Sequence, residues 1–251
     1  ESMAALANLY LSRKQPDKAL QRVSRQIQQS PSSARLYELQ GQIYASQKNF
    51  AKAEESIRKV IELDKNSMSS YSLLAQLFLA QNSPNRALEQ LQKALEINPK
   101  SAPMHLITGT VYESQKNTDK SIFHYREALK IDPDLAVAAN NLAWLLSESG
   151  GNLDEALKLA QSAKQKLPDN TNVSDTLAWI FYKRGAYRSA IDLLEECVKK
   201  EPEKAAYRYH LGMSYYKSGD QRRAKQELSE ALKLAPNMPQ AAEIEGILRN
   251  L

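Results

Sequence analysis

The alanine at position 190 has counterparts at Ala19, Ala53, Ala87, Ser121, Ala156 and Ala224. The steps between the seven positions, in order, are 34, 34, 34, 35, 34 and 34 residues. A second small residue keeps the same step at Ala7, Gly41, Ala75, Gly109, Ala143, Ala178 and Gly212. An aromatic follows it three residues later as Tyr10, Tyr44, Phe78, Tyr112, Phe181 and Tyr215, with Leu146 in the remaining copy. Proline closes the copies at Pro31, Pro99, Pro133, Pro168, Pro202 and Pro236, and Lys65 alone breaks that series. Self-similarity at one fixed period leaves few folds open. Each copy is one supersecondary unit that cannot bury its apolar face alone and must stack on its neighbours.

The stretch from Asp175 to Pro202 shows what the unit is. Leu177, Ala178 and Phe181 recur at helical spacing, and Ala190, Ile191, Leu194 and Val198 do so again after the break at Gly185. Pro202 stops the second helix because it cannot continue the hydrogen-bond ladder. Two helices approach closely only where side chains leave room, so the two small positions are expected to face each other across the turn.

Period and residue order together resemble the tetratricopeptide repeat (TPR) family over essentially the whole chain. The family's leading tryptophan is absent; Met3, Tyr37, Tyr71, His105, Ala139, Ser174 and Arg208 stand there. The resemblance implies an all-α, right-handed solenoid of antiparallel helix pairs. The expected organisation is one solenoid over 1–251, with units 1–33, 34–67, 68–101, 102–135, 136–170, 171–204 and 205–238 and a capping helix at 239–251. The fifth unit carries one extra residue in the turn 147–152. In the last segment Ile244, Ile247, Leu248 and Leu251 form an apolar stripe while Glu243, Glu245 and Arg249 stay polar. The first unit is expected to lack an upstream cap, with Glu1-Ser2-Met3 read as an expression scar. Leu6, Leu9 and Tyr10 would then offer a face for self-association or for missing upstream repeats.

Eight glycines and 42% apolar content fit a helical chain, and no run reaches membrane-spanning length. A net charge of +5 spread over seven repeats permits acidic partners without demanding nucleic acid. The single cysteine, Cys197, takes the small site held by Ala94, Ala128, Ala163 and Ala231 elsewhere, and reads as inert packing. Phosphate-binding glycine loops, paired-cysteine metal sites and nucleophile elbows are absent from the sequence, so no enzyme, cofactor or metal is expected. His105, His124 and His210 read as surface or seam residues. Glu54-Glu55 and Glu195-Glu196 read as solvated faces.

The informative face is the inner one. At about 100° per residue, Trp179 lies roughly 150° from the direction of Leu177, Ala178 and Phe181. It is therefore expected outside the core, facing the groove that first helices line in this family. Read along the array, its site holds Asn8, Gln42, Gln76, Thr110, Trp144, Trp179 and Met213, amides giving way to aromatics. Four residues earlier stand Ala4, Glu38, Ser72, Leu106, Asn140, Asp175 and Tyr209; three later come Leu11, Ala45, Leu79, Glu113, Ser147, Tyr182 and Tyr216. The lysine, arginine and asparagine set with which some TPR proteins clamp a terminal carboxylate is absent here.

The expected function is a non-catalytic scaffold that grips a peptide segment or helix of a protein partner. Trp144, Trp179, Tyr182, Tyr209, Met213 and Tyr216 would make the contact surface. Asn140, Asn141 and Asp175 would bond its backbone, and Lys183 and Lys217 would favour acidic neighbours. An alternative is that the aromatics merely pack on one another and stiffen the array. Other classes are a self-assembling scaffold and an RNA-binding repeat protein of the pentatricopeptide kind. Against the last, units close as Ile97-Asn98-Pro99, Ile131-Asp132-Pro133 and Leu234-Ala235-Pro236, without the glycine usual before that family's proline. The run from Asn140 to Tyr182, with NNLAWLL and DTLAWIFYKRG, is similar to the closing repeats of large bacterial envelope TPR proteins tied to exopolysaccharide export. That likeness implies a periplasmic location, with the cytoplasm as the alternative.

Overall fold

The computed structural model describes residues 3–251, apart from the side chain of Ala4. Glu1 and Ser2 of the expected scar lie outside the described residues. Those residues form fifteen α-helices and no strand. The fold is the all-α helical repeat that the period implies. Two compact units emerge, residues 1–124 and 125–251, divided within α8.

The first unit holds α1 (Met3–Ser12), α2 (Pro16–Gln29), α3 (Ala34–Ser46), α4 (Phe50–Leu63), α5 (Met68–Ala80), α6 (Pro84–Ile97), α7 (Ala102–Ser114) and the start of α8 (Thr118–Ile131). The second holds the rest of α8 and α9 (Ala136–Glu148), α10 (Leu153–Lys166), α11 (Thr171–Lys183), α12 (Tyr187–Lys200), α13 (Ala205–Ser218), α14 (Gln221–Leu234) and α15 (Ala241–Arg249). None of these helices is long and apolar enough to cross a membrane.

The hairpin turns repeat as faithfully as the helices. One residue in each adopts positive φ: Lys14, Lys48, Asn82, Lys116, Gly150, Gly185 and Gly219. The next residue donates its N–H to the carbonyl of the aromatic-site residue, as in Asn49 to Tyr44 and Ala186 to Phe181, both at 2.9 Å. This is the six-to-one bond of a Schellman cap. In several hairpins that donor also caps the second helix; Asn49 accepts from Lys52 N–H and Asp220 from Arg223 N–H. The extra residue of the fifth repeat separates the two jobs. Gly151 makes the bond to Leu146, and Asn152 caps α10 through Asp154 and Glu155 N–H.

The small sites are buried as expected, Ala75, Ala143 and Ala178 completely. A Cβ on Gly41 would sit 2.8 Å from Ile57 Cγ1, and one on Gly212 2.7 Å from Leu228 Cγ. Ser121 replaces alanine without loss because its hydroxyl donates to Gly109 O at 2.8 Å. The first unit's core runs through Ile57, Leu74, Phe78 and Leu91. The second unit's runs through Ala178, Ala190, Leu194 and Leu211, with a separate cluster around Trp179.

Candidate functional site

The predicted site residues lie on three first helices of the second unit, α9, α11 and α13. Asn140 and Trp144 sit one turn apart on α9. Asp175 and Trp179 repeat that arrangement on α11, and Tyr209 and Met213 on α13. Tyr182-Lys183 and Tyr216-Lys217 follow on the last turns of α11 and α13.

One expectation needs correction. Trp179 is not outside the core: it is 6% exposed, with Tyr209 at 5%, Met213 at 4% and Asp175 at 8%. These side chains form an apolar cluster with Leu228, Ala231 and Ile244, flanked by Trp144 and Tyr182. The wheel considered a single hairpin. The direction leading away from a helix's own hairpin partner leads into the next first helix, which closes over it. The aromatics do pack on one another across successive first helices. Trp144, Asn140, Asn141, Tyr182 and Tyr216 are half-buried, while Lys183 and Lys217 are exposed.

The indole of Trp179 is held on several sides. It stacks on Tyr182 at 4.5 Å and 7° and on His210 at 4.2 Å and 26°. Its Nε1–H donates to Glu148 Oε1 at 2.8 Å. Lys183 Nζ lies 3.0 Å from that same carboxylate oxygen and 5.4 Å from the indole centroid. Beneath it, Asp175 Oδ1 and His210 Nδ1 are 2.7 Å apart. Tyr209 donates its hydroxyl to Glu243 Oε2 of α15 at 3.0 Å. A buried carboxylate is tolerated only when its oxygens are bonded, so His210 is what allows Asp175 to sit here.

His210, Glu148 and Glu243 were missed by sequence reasoning. The signal that finds them is the offset: Asp175 meets His210 35 residues on, and Tyr209 meets Glu243 34 residues on. One repeat further along the chain is the neighbour in space. Asn141 is likewise engaged internally, donating from Nδ2 to Tyr125 Oη at 3.2 Å, so that donor is not open to a ligand. Asn140 Oδ1 is buried with no hydrogen-bond partner among the described residues.

Burial sets the electrostatics. The Tyr182 phenol is pushed up to about 12, chiefly by burial and then by the charge of Glu243. Burial, the hydrogen bond to Glu243 and its charge push Tyr209 up further still. Burial also lifts the Cys197 thiol to about 11, so it remains protonated and unreactive near neutrality. Among the described residues no three His, Cys, Asp or Glu side chains converge on a common point that could hold a metal.

Stacked helical hairpins recurring at one fixed period define a helical-repeat protein. Tetratricopeptide repeat profiles match residues 32–100, 72–136, 113–180 and 181–247. The chain belongs to the tetratricopeptide repeat family, whose members typically serve as protein–protein interaction scaffolds and are generally non-catalytic. No protein of curated function matches the sequence. Among solved structures, YrrB, described as a TPR protein with an unusual peptide-binding site, is 21% identical, with a TM-score of 0.63. The match covers 77% of this chain and 99% of YrrB. PilF of Pseudomonas aeruginosa is 19% identical with a TM-score of 0.71, over 85% of this chain and 96% of PilF. The Cut9–Hcn1 hetero-tetramer of the APC/C gives 16% identity and a TM-score of 0.71, over 93% of this chain but 46% of its counterpart. At these identities the likeness establishes the fold.

Proposed function

We propose that this chain is a non-catalytic scaffold whose second unit binds a protein segment along α9, α11 and α13. The observation that carries this reading is a row of half-open aromatics, Trp144, Tyr182 and Tyr216, edged by exposed Lys183 and Lys217. Aromatic side chains with one polar end supply contact area at low entropic cost and are enriched in binding hot spots. Trp179, Tyr209 and Met213 form the rigid floor beneath them, and Asp175 acts through His210. Asn140 and Asn141 border the row. Lys217 makes no ion pair among the described residues, so a ligand with acidic flanking residues fits this edge best. The peptide site named in the description of YrrB supports the same use of the fold. The likeness of Asn140–Tyr182 to envelope repeats supports a place within a larger bacterial envelope protein. Leu9, 42% exposed on α1, supports self-association through the first hairpin as a secondary contact.

The test separates floor from surface. Peptides with an aromatic core and acidic flanks are selected against the whole chain, and affinity and melting temperature are then measured for two variants. Trp144→Ala should weaken binding by about 2 kcal/mol with little change in melting. Trp179→Ala should destabilise by about 3–5 kcal/mol, as expected for a buried tryptophan. Selected peptides that bind Trp144→Ala and the parent equally would remove the groove from the second unit. Selection of RNA in preference to any peptide would overturn the scaffold reading.

A further inference from the structure

The second residue of each second helix is aspartate in three repeats, Asp17, Asp119 and Asp154, the charge that a helix N-terminus favours. Ala51 and Asn85 take the site in two others. In the last two it is arginine, Arg188 on α12 and Arg222 on α14, one repeat apart. A cation there opposes the helix dipole.

Three repeats bond this site to the residue 30 positions on, which closes the first helix of the next hairpin. Gln47 Nε2 donates to Asp17 Oδ1 at 3.0 Å, Gln115 Nε2 to Asn85 Oδ1 at 2.8 Å, and Arg184 pairs with Asp154. For Arg188 the residue at that offset is Ser218, whose hydroxyl donates to Tyr215 O instead, at 2.9 Å. Arg188 keeps only an i, i+4 pair with Asp192 at 3.2 Å, and both side chains are more than half exposed. Such a pair is weak and readily exchanged. Arg222 makes no hydrogen bond or ion pair among the described residues.

Arg188 and Arg222 line one open depression of about 610 Å³, together with Arg223 and the turn 218–221. Arg223 is already engaged. Its Nε donates to Asp220 Oδ2 at 2.6 Å and its Nη1 to Tyr215 Oη at 3.1 Å, with Glu195 3.4 Å away. Asp220, the one carboxylate of the lining, is thus neutralised by Arg223 and also accepts that residue's backbone N–H. Two guanidiniums remain in excess.

We infer that this depression binds a phosphate monoester dianion between Arg188 and Arg222. Each guanidinium presents a planar fork of N–H donors that takes two oxygens at once. A carboxylate has only two oxygens and fills one fork. A phosphate monoester has three, with a charge of about −1.5 to −2 at neutral pH, and answers both forks and both charges. A phosphodiester has two free oxygens and one charge, and answers half. The site lies on second helices, so it is independent of the aromatic row on α9, α11 and α13.

The probes are N-acetyl phosphoserine amide and glucose 6-phosphate, the same group from a protein and from a metabolite. Dimethyl phosphate and N-acetyl glutamate amide are the controls. Each is titrated into the whole chain at low salt, followed by backbone amide and arginine Nε–H chemical shifts. The monoesters should shift Arg188, Arg222 and the first turns of α12 and α14, and leave indole fluorescence unchanged. Affinity should fall from pH 7.5 to pH 5, as the second phosphate proton is taken up near pH 6. Arg188→Gln/Arg222→Gln should weaken binding about tenfold or more, and Arg188→Lys/Arg222→Lys severalfold, because lysine keeps the charge but loses the fork. Both pairs should melt no lower than the parent, since both side chains are exposed. Tighter binding of one monoester than the other would name the source of the phosphate within the inference. Absence of shifts with both monoesters would overturn it. So would equal binding of either control, full affinity in either double variant, or shifts scattered over the chain's lysines. Trp144→Ala should bind the monoesters like the parent; a loss there would move the phosphate to the aromatic row and overturn the inference.

Discussion

At the scale of single residues, the same backbone position is filled in two ways. The left-handed residue of each hairpin turn is lysine or asparagine in the first unit and glycine in the second. For an L-residue with a side chain that conformation costs about 1–2 kcal/mol, partly offset by the greater unfolded-state freedom of glycine. Lys48, exposed at φ 58°, donates only its backbone N–H to the turn. Lys48→Gly should therefore stabilise the protein by about 0.5–1 kcal/mol, read as a rise in denaturation midpoint at unchanged slope. A fall would show that the lysine side chain does more at this turn than its exposure suggests. Trp179 teaches the opposite lesson. Its helical angle was legible, yet its burial was not, because Tyr209 and His210, some thirty residues on, decide what covers it.

At the scale of elements, the hairpin is the unit, and the fifth repeat shows how it tolerates length. Gly151 makes the Schellman bond and Asn152 makes the cap, where Asn49 does both elsewhere. Deleting Gly151 would let Asn152 take both roles. The deletion should fold normally, with stability within about 0.5 kcal/mol of the parent in a thermal melt. Gly151→Ala should do worse than the deletion, since its Cβ would lie 3.0 Å from Leu146 Cδ2 and O. A deletion that unfolds the α9–α10 hairpin would show that the longer turn is needed for reasons beyond capping. The last element, α15, departs from the other first helices in a telling way. Glu245 and Arg249 stand where Leu211 and Tyr215 stand one repeat earlier, and a Cβ added at Gly246 would meet nothing within 4 Å. Its polar side faces outward while Ile244 is fully buried, as the apolar stripe of the sequence implies.

At the scale of the whole molecule, the second unit should lose stability in alkali. The phenols raised by burial, Tyr182 and Tyr215 to about 12 and Tyr209 higher, all belong to the second unit. A phenol that holds its proton more tightly when folded contributes fully below its unfolded value of about 10. That contribution is lost as pH rises, because the unfolded chain ionises first. Melts followed by tryptophan fluorescence, which reports the second unit alone, should fall steeply between about pH 10 and 12. Tyrosinate absorbance should rise over the same range. A pH-independent tryptophan melt would show these phenols to be freely solvated. The repeat period, the small helix-crossing sites and the all-α fold were all determined by sequence alone, because each depends on contacts within one hairpin or on strict recurrence of it. So was the location of an unusual aromatic series on α9, α11 and α13. Only the tertiary structure decided which of those aromatics are floor and which are surface. It also decided that His210 holds Asp175, and that Arg188 and Arg222 line one depression. Each of these depends on side chains a full repeat apart, whose meeting is set by how one hairpin lies against the next.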